Sequence, residues 1–310
     1  MKSNIITFLL MLFCSSLVYA EKLSVILDWF PNPDHAPLII AKQQGYFKEQ
    51  GLDVDIIGPA DPHDPPKLVA TGKVDIGISY EPHLIEFVDQ GLPLIRFGTL
   101  IDQPLDCMIA LKQSQIKTIS DLKGKKIGVG SNSMGNILLN VVLAKAGIKP
   151  SEIELVTINY NLTQALLSRQ VDVITDVMRN VEILQLTSAG QQLVTFYPEQ
   201  YGVPTYNVLI FITNTTKKED PRLPKFLAAI KKATLYLKAH PEAAWLAFAK
   251  DYPEANNPVN RQSWFVTIPY FAKDPAYFNP QEWQDFAKFM QKNGLIKTVQ
   301  PVDRYAFVPR

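Results

Sequence analysis

An α/β fold of two Rossmann-like lobes around a cleft is predicted by three observations. Short β-branched runs alternate with helix-period segments, the order β-α-β-α-β occurs twice, and the chain beyond residue 214 reads as helical. Strands alternating with helices call for parallel sheets covered on both faces. Two such units point their strand ends, and the loops after them, at one gap, where open α/β folds bind small ligands.

The first unit starts with strand 23–27, which breaks into a polar loop running from Asp28 to His35. Helix 37–46, strand 52–57, helix 66–71 and strand 74–79 follow. The second unit repeats the order with strand 126–129, a loop over 130–135, a helix ending at 146, strand 153–158, helix 162–168 and strand 171–175. Helices are read from apolar spacing with stops at Gly45 and Gly147, strands from short β-branched runs. Segments 107–111 and 208–212 are the expected crossovers. Helices 224–240, 241–250, 262–271 and 280–293 then return to the first lobe. The expected organisation is lobe 1 at 21–108 plus 213–310, with lobe 2 (109–212) inserted and two strands as hinge.

Residues 1–20 carry Lys2, an apolar run over 5–13, and Val18-Tyr19-Ala20 with small residues at both positions a signal peptidase requires. This predicts a cleaved export signal, too short to span a bilayer. Phe13 ahead of Cys14 suits a lipid-attachment site poorly. Lys2 is the leader's only charge, so 30 of the 31 basic residues face 30 acidic ones in the remainder. A neutral chain offers no electrostatic footprint for nucleic acid or an anionic membrane. Cys107 is the one cysteine beyond the leader, so no internal disulfide can form.

Four loops fall at corresponding strand ends: 28–36, 79–83, 130–136 and 175–180. Trp29 and Tyr80 offer flat faces for a planar ring, and Asn32, Glu81, Asp176 and Asn180 offer directional partners. Trp29 reads equally well as a core residue. His35 is expected as a hydrogen-bonding wall. Asn132, Ser133, Met134 and Gly135 would cap the far end through backbone donors ahead of a helix, although plain N-capping by Ser131 or Ser133 explains that loop as well. Asp75 and Asp172 occupy matching positions and read as backbone partners at strand starts. The spacing of His35, His63 and His83 fits no metal motif, and no Gly-x-Ser-x-Gly elbow is present. The expected ligand is a planar, hydrogen-bonding heterocycle.

Asp28-Trp29-Phe30-Pro31-Asn32 with His35, Gly45-Tyr46-Phe47-Lys48-Glu49-Gln50-Gly51-Leu52-Asp53-Val54, and Gly72-Lys73-Val74-Asp75-Ile76-Gly77 resemble the thiamine-pyrimidine proteins. The likeness continues through Leu122-Lys123-Gly124-Lys125-Lys126-Ile127-Gly128 and through Tyr201-Gly202-Val203-Pro204, and it weakens after Gly190. One branch of that family comprises substrate-binding proteins of ABC importers. The other is a single-turnover synthase that builds its pyrimidine from its own histidine and pyridoxal phosphate.

The resemblance implies a synthase lysine two residues after the Val-Asp-x-Gly run, where this chain has Ser79. It also implies a cysteine cluster where this chain has Tyr206-Asn207-Val208. His83 matches the consumed histidine. Ser79-Tyr80-Glu81-Pro82 and the Tyr201 to Tyr206 crossover, which adds Tyr206 to the expected site, resemble the transport branch. A glutamate that formylaminopyrimidine importers carry near Val208 is missing.

The resemblance thus implies a type II periplasmic binding protein, monomeric, without cofactor or catalysis. It would carry a thiamine-pyrimidine precursor to an ABC permease. A pyrimidine synthase, or a riboflavin or alkanesulfonate carrier, are the alternatives.

Overall fold

The computed structural model describes residues 20–130 and 134–310; the side chains of 134–136 are not described. The leader ahead of Ala20, and Asn132 and Ser133, lie outside the described residues. Met134 and Gly135 are placed only as the backbone that opens a helix.

The chain builds β1 (Glu21–Ile26), α1 (Ala36–Gln43), α2 (Tyr46–Glu49), β2 (Leu52–Ile57), α3 (Asp64–Ala70), β3 (Ile76–Ser79), α4 (Glu81–Asp89) and β4 (Leu94–Ile101). It then forms β5 (Asp106–Leu111), β6 (Lys126–Val129), α5 (Met134–Lys145), β7 (Glu154–Thr157), α6 (Leu162–Leu167), β8 (Val173–Met178), α7 (Glu182–Ser188) and β9 (Leu193–Phe196). β10 (Leu209–Asn214), α8 (Arg222–Ala239), α9 (Pro241–Asp251), α10 (Pro258–Thr267) and α11 (Pro280–Lys292) complete it.

Two five-stranded sheets result, ordered β2-β1-β3-β10-β4 and β7-β6-β8-β5-β9. In each, three parallel strands are followed by one antiparallel strand, β10 in the first and β5 in the second. The duplication read from the sequence is therefore a duplication of topology. The segments expected as crossovers are themselves sheet strands, each entered directly after the chain has passed between sheets over 102–105 or 197–208. Asp75 and Asp172 keep their matching roles but reach the neighbouring strand rather than their own. Asp75 Oδ2 accepts from Ser24 N at 2.9 Å, and Asp172 Oδ2 accepts from Lys126 N at 2.9 Å.

Other departures have local causes. Gly45, left-handed at φ 75°, ends one helical segment and restarts another, so the predicted helix 37–46 divides into α1 and α2. β8 continues past 175 because Asp176 adopts φ 60° at a bulge, where the register against β5 shifts. β4 was not expected, since Arg96 interrupts its apolar run. That arginine is fully buried, donating to Thr99 Oγ1 at 2.9 Å and Tyr277 O at 2.6 Å with its guanidinium over Phe278. β9 (Leu193–Phe196) was also not anticipated. α10 starts earlier than predicted because Asn257 caps it, accepting from Asn260 N at 2.9 Å ahead of Pro258.

The lobes share apolar surface behind the cleft. Leu139, Val142 and Leu143 of α5 fill the second lobe's core, whereas Ile137, Leu138 and Val141 join the core of the first. A helix apolar all round can serve two cores at once.

Asp75 also pairs with Lys217 and Arg222 at the sheet end remote from the cleft. Asp75→Ala should lower unfolding free energy by about 1–2 kcal/mol in urea titrations, because several charge-assisted hydrogen bonds to a partly solvated carboxylate are lost. Ligand affinity should not change.

Candidate functional site

A cavity of about 200 Å³ lies between the lobes. The first lobe contributes Asp28, Trp29, Asn32, Asp34, His35, Tyr80 and His83. The second contributes Gly130, Asp176, Met178, Glu182 and Gln185, and α10 adds Asn260.

β1 delivers Asp28 to its carboxyl end, and β3 delivers Tyr80 to the equivalent place on the next strand. The Tyr80 hydroxyl donates to Asp28 Oδ2 at 2.5 Å, and His35 Nε2 lies 2.9 Å from Asp28 Oδ1. His35 Nδ1 accepts from Asn32 N at 3.3 Å, so the ring proton sits on Nε2 and is given to Asp28. Burial alone would raise Asp28, yet the hydrogen bonds it accepts from His35 and Tyr80 hold it below the usual carboxylate range. Burial and the Asp28 charge push the Tyr80 phenol up. Asn32 Oδ1 caps the turn Pro33–His35, accepting from Asp34 N at 2.8 Å, while its amide donates to Phe30 O.

The opposite wall comes from β8 and α7. Asp176, in its left-handed conformation, accepts from Gly130 N at 3.0 Å. A non-glycine residue held at positive φ is a strained feature of the kind that clusters at ligand sites. Glu182 Oε2 accepts from Met178 N at 2.7 Å, and the carboxyl lines the cavity. Burial pushes Glu182 up to about 7 and Asp34 up to about 6, while it pushes His83 down to about 3. Near neutral pH His83 is therefore an uncharged ring, set edge-on to Tyr80 with centroids 5.2 Å apart.

Two contacts close the cleft. Asn180 Nδ2, from the second lobe, donates to Asp34 Oδ1 at 2.5 Å and Thr267 Oγ1 at 2.7 Å, all three residues being buried. Tyr160 packs on Trp29 at 4.5 Å and on Phe30 at 4.3 Å, and donates to Pro59 O. Trp29 is thus neither core nor free surface; it is a half-buried rim residue shared by both lobes.

Of the residues expected from sequence, Trp29, Asn32, His35, Tyr80 and Asp176 line this cavity. Three do not. Glu81 turns away to accept from the backbone and side-chain amides of Asn207, at 2.7 and 2.6 Å. Tyr206 is buried with its hydroxyl on Asp106, and Asn180 is spent on the Asp34 bridge. Asp28, Asp34, Glu182, Gln185, Tyr160 and Asn260 were not foreseen as site residues. The repeat could have pointed to Glu182, because Glu81 and Glu182 are the first residues of the corresponding helices α4 and α7. Among the described residues no cluster of His, Cys, Asp and Glu is arranged to hold a metal ion.

The sequence profile described as NMT1/THI5 like matches residues 32–244. The chain belongs to the NMT1/THI5-like family. Its relatives include a protein of Haemophilus influenzae assigned by name to thiamine biosynthesis without an established role, 44% identical over 92% of this chain and 91% of its own. A formylaminopyrimidine-binding protein of Halalkalibacterium halodurans is 30% identical, covering 91% and 88%. A 4-amino-5-hydroxymethyl-2-methylpyrimidine phosphate synthase of Saccharomyces cerevisiae is 31% identical over 89% and 84%. Among solved structures, the alkanesulfonate-binding protein of Xanthomonas axonopodis matches at a TM-score of 0.74 with 17% identity, covering 93% and 98%. The family's fold here is that of periplasmic binding proteins. Among the described residues no helix is long and apolar enough to cross a membrane.

Protonation of the cleft sets a pH dependence for the unliganded protein. Glu182 and Asp34 are raised when folded, so their favourable contribution is complete below the ordinary carboxylate range and is lost as pH rises through 6–7. His83 is lowered, so its contribution is complete above about 6.5 and is lost on acidification toward 3. Urea midpoints should therefore fall between pH 5 and pH 8. Glu182→Gln should remove part of that fall, about 1–3 kcal/mol.

Proposed function

We propose that this protein is the exported, monomeric solute-binding component of an ABC importer. It closes around a single-ring amino heterocycle of the thiamine-pyrimidine precursor type, such as a hydroxymethyl- or formylaminopyrimidine, and releases it to a permease without altering it. The observation that carries the reading is the composition of the cavity. Asp28, Asp34, Asp176 and Glu182 line it, whereas no lysine or arginine does so among the described residues. Such a wall repels sulfonates and phosphates and attracts a ligand rich in N–H donors.

Size supports the same choice. About 200 Å³ is below the roughly 300–1,000 Å³ of drug-sized sites, which suits one substituted ring better than a fused tricycle such as riboflavin. The Glu182 carboxyl, poised near 7, can donate or accept. That matches an aminopyrimidine edge, where a ring nitrogen acceptor stands beside an amino donor. Trp29 at the rim and Tyr80 at the floor supply aromatic surface. The Asn180–Asp34 and Tyr160–Trp29 contacts make binding energy available for closure, since each joins the two lobes.

The leader reading accounts for export, and the formylaminopyrimidine-binding relative supports a pyrimidine as ligand, while a synthase relative is as similar in sequence. The synthase reading has His83 in its favour, which faces the cavity. Against it stands Ser79, which has no amine to hold pyridoxal phosphate at the position the resemblance assigns to lysine.

Isothermal titration with hydroxymethylpyrimidine, formylaminopyrimidine, thiamine, riboflavin and taurine tests the proposal. One of the two pyrimidines should bind tightest and taurine not at all. Trp29→Ala should weaken the pyrimidine about tenfold or more, equivalent to about 1.4 kcal/mol. Tightest binding of taurine or riboflavin would refute the assignment, and mass loss from His83 after incubation with pyridoxal phosphate and ferrous iron would establish the synthase.

A further inference from the structure

A second cavity, of about 400 Å³, opens on the hinge side of the molecule and is separate from the cleft. Its residues come from both crossing segments, Gln103 after β4 and Tyr206-Asn207 before β10, and from the C-terminal region around α11. Its lining includes Glu81, one residue along the chain from Tyr80 of the first cavity. The glutamate side chain is 1% exposed and faces this space.

The chemistry of the wall is one-sided. Among the described residues, Glu81, Asp102 and Glu282 are its ionisable carboxyl groups, and no lysine, arginine or histidine lines it. Glu81 Oε2 is engaged by Asn207, but Oε1 has no hydrogen-bond partner among the described residues. Arg96 is a buried cation whose charge favours ionised Glu81 against the larger effect of burial, but it makes no hydrogen bond to that carboxyl. It donates to Thr99, Tyr277 and Phe307 with its guanidinium behind the Phe278 and Trp283 rings, 5.2 and 5.9 Å from their centroids. A buried carboxylate with an unfilled acceptor is costly unless a donor comes to it. Burial accordingly pushes Glu81 up to about 7, so an arriving cation would restore its charged form.

Aromatic surface completes the wall: Trp283 and Tyr206 are buried at the floor, and Tyr277, 64% exposed, stands at the mouth. Carboxylates beside aromatic faces are the combination that recognises an ammonium group carried on an apolar body. We infer that the hinge cavity is a second binding site, for a small primary amine cation with an apolar or aromatic body, anchored by its ammonium on Glu81. The inference does not depend on what the cleft binds, because the two cavities share no lining residue among the described ones.

Benzylamine, with benzyl alcohol and benzoate as neutral and anionic counterparts of the same shape, tests it on the full chain. Binding is followed by titration calorimetry and by the Trp283 indole N–H resonance. Benzylamine should bind at least tenfold more tightly than benzyl alcohol, benzoate should not bind, and the Trp283 resonance should shift. Glu81→Gln keeps an acceptor for Asn207 and should weaken benzylamine at least fivefold, whereas Trp29→Ala should leave it unchanged. The double variant Asp102→Asn, Glu282→Gln changes only exposed groups and should weaken benzylamine by a smaller factor even if Glu81→Gln fails to fold. Equal binding of the three probes would overturn the inference. So would benzylamine binding that Trp29→Ala abolishes and the hinge substitutions spare, which would place the amine in the cleft.

Discussion

The arrangement rests on one buried carboxylate. Asp28 lies just past the first strand with both oxygens occupied, one by His35 and the other by Tyr80, so the end of β1, the turn that follows it and the end of β3 are held as a unit. A buried charge left unpaired costs far more than the pairing gains, so these residues constrain one another. His35 can serve only because the Asn32 backbone fixes its other nitrogen. The loop that looked from its composition like a set of ligand groups is largely a scaffold, and its free chemistry is passed to Tyr80 and to the facing lobe.

That facing lobe supplies what the first lacks. Asp176 and Glu182 arrive on the duplicate of the strand and helix that carry Tyr80 and Glu81, and Asn180 crosses to Asp34. Acidic groups from both sides share a small space, which explains why burial raises Asp34 and Glu182 while the neutral His83 is tolerated. The ligand proposed above, bearing N–H donors, would relieve this concentration of acceptors, and would do so only with the lobes together. Specificity and closure therefore draw on the same interactions.

The fold was legible because its period changes are strong: strands such as 52–57 and 126–129 fall where β-branched runs stop at polar loops. The matching placement of Asp75 and Asp172 was legible too, but not that each reaches across to the neighbouring strand. What sequence spacing could not show was direction at a strand end. Tyr80 and Glu81 are adjacent, yet they face different cavities, because the first turn of α4 rotates the glutamate toward Asn207. Tyr160 and Asn260 come from regions without a motif, and only the tertiary arrangement brings them to the cleft. The bulge at Asp176 hid the last part of β8, since a left-handed aspartate reads as the end of a strand.

Hydrogen–deuterium exchange with and without hydroxymethylpyrimidine tests the central claim, that one amino heterocycle is held by both lobes at once. Protection should rise together over 28–36 and 176–185, with the crossing segments 102–105 and 197–208 slowed less. Protection confined to one lobe, or found only over 205–207 and 277–283, would contradict it.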